Sequence, residues 1–282
     1  MDFKTVGIVG LGLMGGSLAK TVKKHTDSRV LGYDTNRDSL ALAEISGSID
    51  EVLTEDRIPE CDLLILALLP DSILKWTEEN GALIKKGGVL MDICGIKREL
   101  YGPLSLSAER NGFNYIGSHP MAGKEVQGFN HASADLYKGA SMILSPKKGT
   151  EISLVEDTMD FFLKLGFGEV VFSSPENHDK IIAYTSQLAH VVSSAYIKSP
   201  TSRKRMGFTA GSYKDMTRVA RLDPEMWTQL FMDNSDFLAS ELREIIDNLE
   251  DYLEAIEGKD REKLYSLLEQ GRKLKITEPL DE

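Results

Sequence analysis

Through the first 174 residues, short apolar runs alternate with stretches whose apolar positions step by three or four. TVGIVG (residues 5–10) reads as a buried strand, and MGGSLAKTVKK directly after it as a helix. RVLGYD (29–34) and SLALAEISG (39–47) repeat the pair. LLILALL (63–69), GGVLMDIC (87–94), FNYIGSH (113–119), ASMILS (140–145) and EVVFSS (169–174) continue the strand series. Strand-like runs separated by helical stretches imply βαβ units and a largely parallel, doubly wound sheet. The pattern changes near Ser174. In SSPENHDK, Ser174 is placed to cap a helix and Pro175 to fill its first turn. No strand-like run follows. LDPEMW repeats the signal with Asp223 and Pro224, and the helix it opens is expected to continue to about Gly258. Its stripe is Trp227, Leu230, Phe231, Phe237, Leu238, Ile245, Ile246, Leu249 and Ile256. So long a stripe exceeds what a small domain covers, so part of it is expected to meet a second subunit. The alternative is an ordinary long helix in a monomeric bundle. The expected division is therefore a sheet domain over 1–174 and an all-α domain over 175–282.

A length of 282 residues suits one large or two ordinary domains, and 41% apolar residues can bury a real core. The net charge of −11 argues against nucleic acid as a partner, but not against a small anion held by a local basic cluster. Cys61 and Cys94 are the only cysteines and do not make a disulfide framework. The N-terminus lacks a basic start and a small-residue cleavage site, so it reads as a first strand and not a signal peptide. The run at 63–69 falls far short of the ~20 residues needed to cross a membrane. A cytoplasmic protein is expected, with no membrane partner and a short loose tail, ITEPLDE.

Gly10-Leu11-Gly12-Leu13-Met14-Gly15 matches G-x-G-x-x-G between a strand and a helix, the context of a Rossmann-type α/β domain. Gly10 allows the tight turn, Gly12 lets backbone approach a pyrophosphate, and Gly15 lets helix and strand pack closely. The helix N-terminus offers N–H groups and partial positive charge to the phosphates. Asp34 ends the second strand, where a carboxylate accepts hydrogen bonds from the ribose hydroxyls of NAD and repels a 2′-phosphate. Arg37 lies close enough to leave NADP open. The bland alternatives are a turn without a ligand, and a turn-forming aspartate.

Three further clusters bear on chemistry. In G-S-H-P-M-A-G-K-E (117–125), His119 is expected just past the carboxyl end of a strand, where it can take a proton from a substrate hydroxyl. In S-Q-L-A-H (186–190), His190 sits among Leu188, Val191 and Val192, a setting that also suits a core histidine. In S-Y-K-D-M-T-R (212–218), helical spacing puts Lys214, Asp215 and Arg218 on one face. Arg218 can fork onto a carboxylate, or belong to a solvated ion cluster. No residue is assigned to a metal.

Together these motifs, with K-D-x-T-R-x-A-x-x-D-P-x-x-W (214–227), resemble the prephenate dehydrogenase family, including the arogenate dehydrogenases. The resemblance spans nearly the whole chain. It implies an NAD-dependent oxidoreductase of tyrosine biosynthesis that decarboxylates prephenate, or arogenate, as hydride leaves. It implies His119 as the group that accepts or polarises the hydroxyl proton, and His190 and Arg218 as substrate-binding, with Lys214 as a second positive charge. Glu125 and Asp215 are expected to fix Arg218 or to gate the site, and Trp227 to wall it or to be a core aromatic. A homodimer through the helical domain is implied, and Arg218 of one subunit reaching the other's site is an open option. Many family members carry G-S-V-K where this chain has Cys94-Gly95-Ile96-Lys97, so a serine hydroxyl beside His119 is missing unless water, Cys94 or Ser118 replaces it. A C-terminal regulatory domain or a fused mutase finds no room, so any feedback by tyrosine is expected at or near the active site. The competing readings are a 3-hydroxyacid dehydrogenase, which relies on a helical lysine, and a non-enzymatic NAD sensor.

Overall fold

The computed structural model describes residues 3–277, so the last five positions of the tail lie outside the described residues. The chain divides into two compact units, Met1–Asn234 and Ser235–Glu282. In the first, β1 (Thr5–Val9), α1 (Leu13–His25), β2 (Arg29–Tyr33), α2 (Arg37–Ile45) and the short β3 (Glu51–Val52) are followed by β4 (Leu63–Leu66) and α3 (Pro70–Asn80). Then come β5 (Val89–Asp92), α4 (Arg98–Asn111), β6 (Asn114–Pro120), β7 (Ser141–Pro146), α5 (Ile152–Lys164) and β8 (Glu169–Phe172).

The eight strands form one sheet in the order β3-β2-β1-β4-β5-β6-β7-β8. Every pairing is parallel except the antiparallel β6–β7. Alternate residues of one strand serve opposite faces: Leu63 and Ile65 join one core cluster, Leu64 and Leu66 the other. Burial on both faces is why these strands read as continuous apolar runs. The chain reverses its winding between β1 and β4, and the crevice at that switch point is where such sheets receive ligands.

Residues 175–234 complete the first unit with α6 (Pro175–Ile182), a wide π-type turn (Ala183–Leu188), α7 (Ala189–Ile197), α8 (Gly211–Thr217) and α9 (Pro224–Met232). Both expected caps form: Ser174 Oγ accepts the Asn177 N–H at 3.2 Å, and Asp223 Oδ1 the Met226 N–H at 2.9 Å. The single helix expected from Pro224 to Gly258 is instead two, α9 and α10 (Ser235–Glu257), broken at Asp233-Asn234. Asn234 explains the break. It is completely buried; its amide donates to Asp179 O and Gln187 Oε1, and its oxygen accepts from Arg98. A short polar side chain committed to three other segments competes with helix continuation.

The second unit is a helical pair, α10 and α11 (Arg261–Thr277). Asp260 Oδ1 caps α11 through the N–H groups of Glu262 and Lys263. Ile246, Leu249, Leu253 and Ile256 of α10 are each about half exposed or more. No helix among the described residues is long and apolar enough to cross a membrane.

Asn234→Ala takes one partner each from the Asp179 carbonyl and the Arg98 guanidinium and removes the donor that the buried Gln187 oxygen receives. Urea unfolding is expected to show a loss of about 2–4 kcal/mol; a loss below ~1 kcal/mol contradicts the keystone role.

Candidate active site

The geometry of the glycine loop supports the turn expected at Gly10 and the close packing expected at Gly15. Gly10 has φ +92°, and a Cβ there would lie 2.4 Å from the Ala67 carbonyl oxygen beyond β4. At Gly15 a Cβ would lie 1.9 Å from the Gly10 oxygen, so helix and turn meet as closely as backbone allows. At Gly12 nothing comes within 4 Å, which leaves open approach, and Gly12 begins α1 with no side-chain cap. Leu11, Leu13 and Met14 complete the turn and the first helical residues. Asp34 Oδ2 accepts the Leu11 N–H at 2.6 Å, and Oδ1 the Asn36 N–H at 2.7 Å. Asp34 therefore moulds the glycine loop itself and also shapes the turn at Asn36.

His119 is the penultimate residue of β6, not past its end. Gly117 pairs with Asp92, the last residue of β5, so β6 overshoots its parallel neighbour. Antiparallel β7 supports the overshoot, with Ile143 opposite His119. Ser118 points the other way, as strand alternation requires, and its hydroxyl donates to the Asp92 carbonyl at 2.5 Å. It does not replace the missing serine hydroxyl. Cys94 is packed in the core, and burial pushes its thiol up to about 11. Gly95 does lie where that serine would: a Cβ there would be 3.9 Å from His119 Nε2 and 3.8 Å from Leu230.

What His119 contacts instead comes from α6. Its Nδ1 lies 2.9 Å from Nε2 of His178, and His178 Nδ1 donates to Asp179 Oδ1 at 2.7 Å. Asp179 also accepts the backbone N–H groups of Lys97 and Arg98, each at 2.8 Å, where α4 begins. Burial works to raise the Asp179 carboxyl, but the hydrogen bonds from His178, Arg98 and Lys97 outweigh it and hold it below the usual range. His119 is partly exposed, yet desolvation, helped by His178 and Lys97, holds its pKa well below the usual 6.5. Burial also depresses His178, against the pull of Asp179. Beneath them Lys97 and Asp92 form a fully buried ion pair, to which Tyr115 Oη donates at 2.8 Å. His178, Asp179, Lys97 and Asp92 were not foreseen from the sequence. The signal was the adjacent His-Asp in SSPENHDK, which the helix-start pattern absorbed.

A second group gathers around His190. Its Nδ1 lies 2.8 Å from the Ser186 carbonyl, and its ring stacks on Trp227 with centroids 4.0 Å apart. Burial lowers its pKa. Arg218 pairs with Glu125, from the loop after β6, and both charges act on His190. The expected shared face of Lys214, Asp215 and Arg218 is interrupted: α8 ends at Thr217 and Arg218 opens a separate 3-10 turn. Among the described residues no ion pair links Asp215 to Arg218, and Lys214 and Asp215 stand exposed. Gln127 donates to Asp223, the cap of α9, at 2.9 Å, a second tie between the loop and the helical segment. Trp227 and Leu230 lie one turn apart on α9, so the His190 and His119 groups flank one helix face.

A glycine turn at the switch point of a doubly wound sheet, with a histidine-bearing helical segment packed beside it, defines a Rossmann-type oxidoreductase. The chain belongs to the prephenate dehydrogenase family. Residues 18–171 match the family model described as prephenate dehydrogenase, nucleotide-binding domain, and residues 174–270 that described as prephenate dehydrogenase, dimerization domain. The first match begins after the glycine loop, whose reading rests on its own geometry. A cyclohexadienyl dehydrogenase of Zymomonas mobilis is 27% identical over 97% of this chain and 96% of its own length. A prephenate dehydrogenase of Bacillus subtilis is 28% identical over 93% of this chain and 72% of its own. The crystal structure of prephenate dehydrogenase from A. aeolicus with hydroxyphenyl propionate and NAD+ superposes with a TM-score of 0.86 at 25% identity, covering 98% of both chains.

The depressed histidines fix the sign of one pH effect. Neutral His119 and His178 contribute stability that is complete above about 6.5, the value for the unfolded chain. As pH falls below 6.5, the unfolded chain takes up protons that the fold resists, and that stability is lost toward the lower folded values. Denaturant unfolding between pH 7 and 5 should show a slope of at most about 1.4 kcal/mol per pH unit per histidine. His119→Asn should flatten it; an unchanged slope in that variant contradicts the assignment.

Proposed function

We propose that the chain is an NAD-dependent prephenate dehydrogenase, converting prephenate to 4-hydroxyphenylpyruvate and carbon dioxide. The observation that carries this reading is that His119, at the carboxyl end of β6, and His190 border Leu230 and Trp227 one turn apart on α9, with the Glu125–Arg218 pair acting on His190. The open approach at Gly12 and the uncapped start of α1 suit a pyrophosphate, with Asp34 toward the adenosine ribose. Exposed Arg37 is near enough to soften the selection against NADP. NAD held there would supply the hydride acceptor for C4 of the substrate.

His119 takes or polarises the C4 hydroxyl proton as that hydride departs. The ring carboxylate leaves as carbon dioxide, its bonding pair completes the aromatic ring, and the phenol oxygen recovers a proton. Aromatisation drives the step, so the protein mainly positions and balances charge. Arg218 is 68% exposed and held by Glu125 in a pair of modest worth, at most about 1 kcal/mol, so a substrate carboxylate can displace Glu125. Lys214 adds positive charge nearby. His190 spends its Nδ1 proton on the Ser186 carbonyl and keeps Nε2 for substrate, with Trp227 packed against the ring at a 31° tilt. Residues 1–174 supply cofactor binding and residues 175–282 the substrate and dimer contacts. The half-exposed stripe of α10 suits a homodimer.

Steady-state rates with prephenate and arogenate, each with NAD and NADP, are expected to favour prephenate with NAD. A preference for arogenate beyond ~10-fold, about 1.4 kcal/mol in the transition state, overturns the substrate assignment. Arg218→Ala should raise KM for prephenate about 10- to 100-fold with kcat little changed; an unchanged KM removes its carboxylate role. Leu249→Asp with Leu253→Asp should halve the mass seen by light scattering; an intact dimer rejects α10 as its interface.

A further inference from the structure

We propose that His178 and Asp179 are positioning residues that lock His119 in the tautomer with its proton on Nδ1, leaving Nε2 as the bare acceptor facing substrate. The direction of each hydrogen bond follows from the fixed end of the chain. Asp179 accepts two backbone N–H groups at the start of α4, so its carboxylate serves only as an acceptor. His178 Nδ1, 2.7 Å away, must therefore carry a hydrogen. His178 is completely enclosed and stays neutral, so its Nε2 is a lone pair. His119 Nδ1, 2.9 Å from that lone pair, must then be the donor. Its Nε2 is left without a proton and lies beside Gly95, where nothing comes closer than 3.8 Å to the place a side chain would take.

The reverse arrangement has a definite cost. A protonated His178 would donate from Nε2, move the His119 proton to the cleft side and abolish the base. Two features oppose that state: the burial of His178, which is only 1% exposed, and the positive charge of Lys97 nearby. The chain also supplies what the missing serine hydroxyl would otherwise help to do, since it orients His119 from the side opposite Gly95. As the acidic member of a triad holds its histidine, Asp179 acts here at one imidazole's remove.

This inference rests on the reading of His119 as the proton acceptor, so its test has a readout independent of turnover. In the full-length protein with 15N-labelled histidine rings, His119 is expected to show a protonated Nδ1 and a pyridine-type Nε2 at pH 7.5. A protonated Nε2 in the native protein overturns the proposal, whatever the enzyme's substrate. In His178→Leu the His119 proton should move to Nε2, and kcat should fall about 100-fold with both KM values within threefold. His178→Gln, whose amide oxygen can accept from Nδ1, should recover kcat to within about tenfold of native and restore the tautomer. A His178→Leu enzyme with native kcat, or a glutamine variant no better than leucine, rejects the positioning role. The expected tautomer without activity toward prephenate or arogenate would leave this inference standing and refute the functional reading. Should His178→Leu fail to fold, the native spectrum and the glutamine variant still decide.

Discussion

A buried carboxylate has to be saturated with donors, and Asp179 meets that demand while tying the start of α4 and the Asn234 turn to its own helix, α6. The first turn of α4 gives it two backbone N–H groups, and α6 gives it the His178 ring. Its own carbonyl receives the Asn234 amide, which binds Gln187 and Arg98 as well. Stripped of these partners, an ionised group in such a place would cost several kcal/mol. The same bonds that relieve the charge also fix the angle at which the helical segment meets the sheet. Stability and alignment of the histidines are thus one problem with one solution.

Much of the architecture was written in period and punctuation. Strands buried on both faces show as unbroken apolar runs, and proline with serine or aspartate marked two helix starts. In the glycine loop Gly10 and Gly15 could be read from the sequence, because each answers a steric demand of the strand-turn-helix join. The break at Asp233-Asn234 could not be read, because Asn234 leaves the helix for partners 47 to 136 positions away. The His178–Asp179 pair was hidden for the same reason. Its meaning depends on a histidine 59 positions earlier and on an α4 turn 81 positions away. Ser118 shows the opposite failure: adjacency to His119 in sequence places it on the other face of the strand.

The charge pattern separates a buried ion pair from an exposed one. An acidic surface overall, −11 on 282 residues, surrounds a site whose cations are few and individually placed. Lys97 is locked to Asp92 in the core and acts through its field, whereas Arg218 is exposed and borrows Glu125 as a partner. Buried charge here tunes an imidazole, while the exposed charge is held only by a surface ion pair.

The widened turn at Ala183–Leu188 carries a consequence for phase. Twelve positions separate His178 from His190. In a uniform α-helix that spacing would splay the two rings by about 120°. A turn that absorbs one additional residue takes up about 100° of that rotation, leaving the rings on nearly the same azimuth. The irregular turn works as a phase shifter, letting a single run of helix aim both imidazoles toward one side of the molecule.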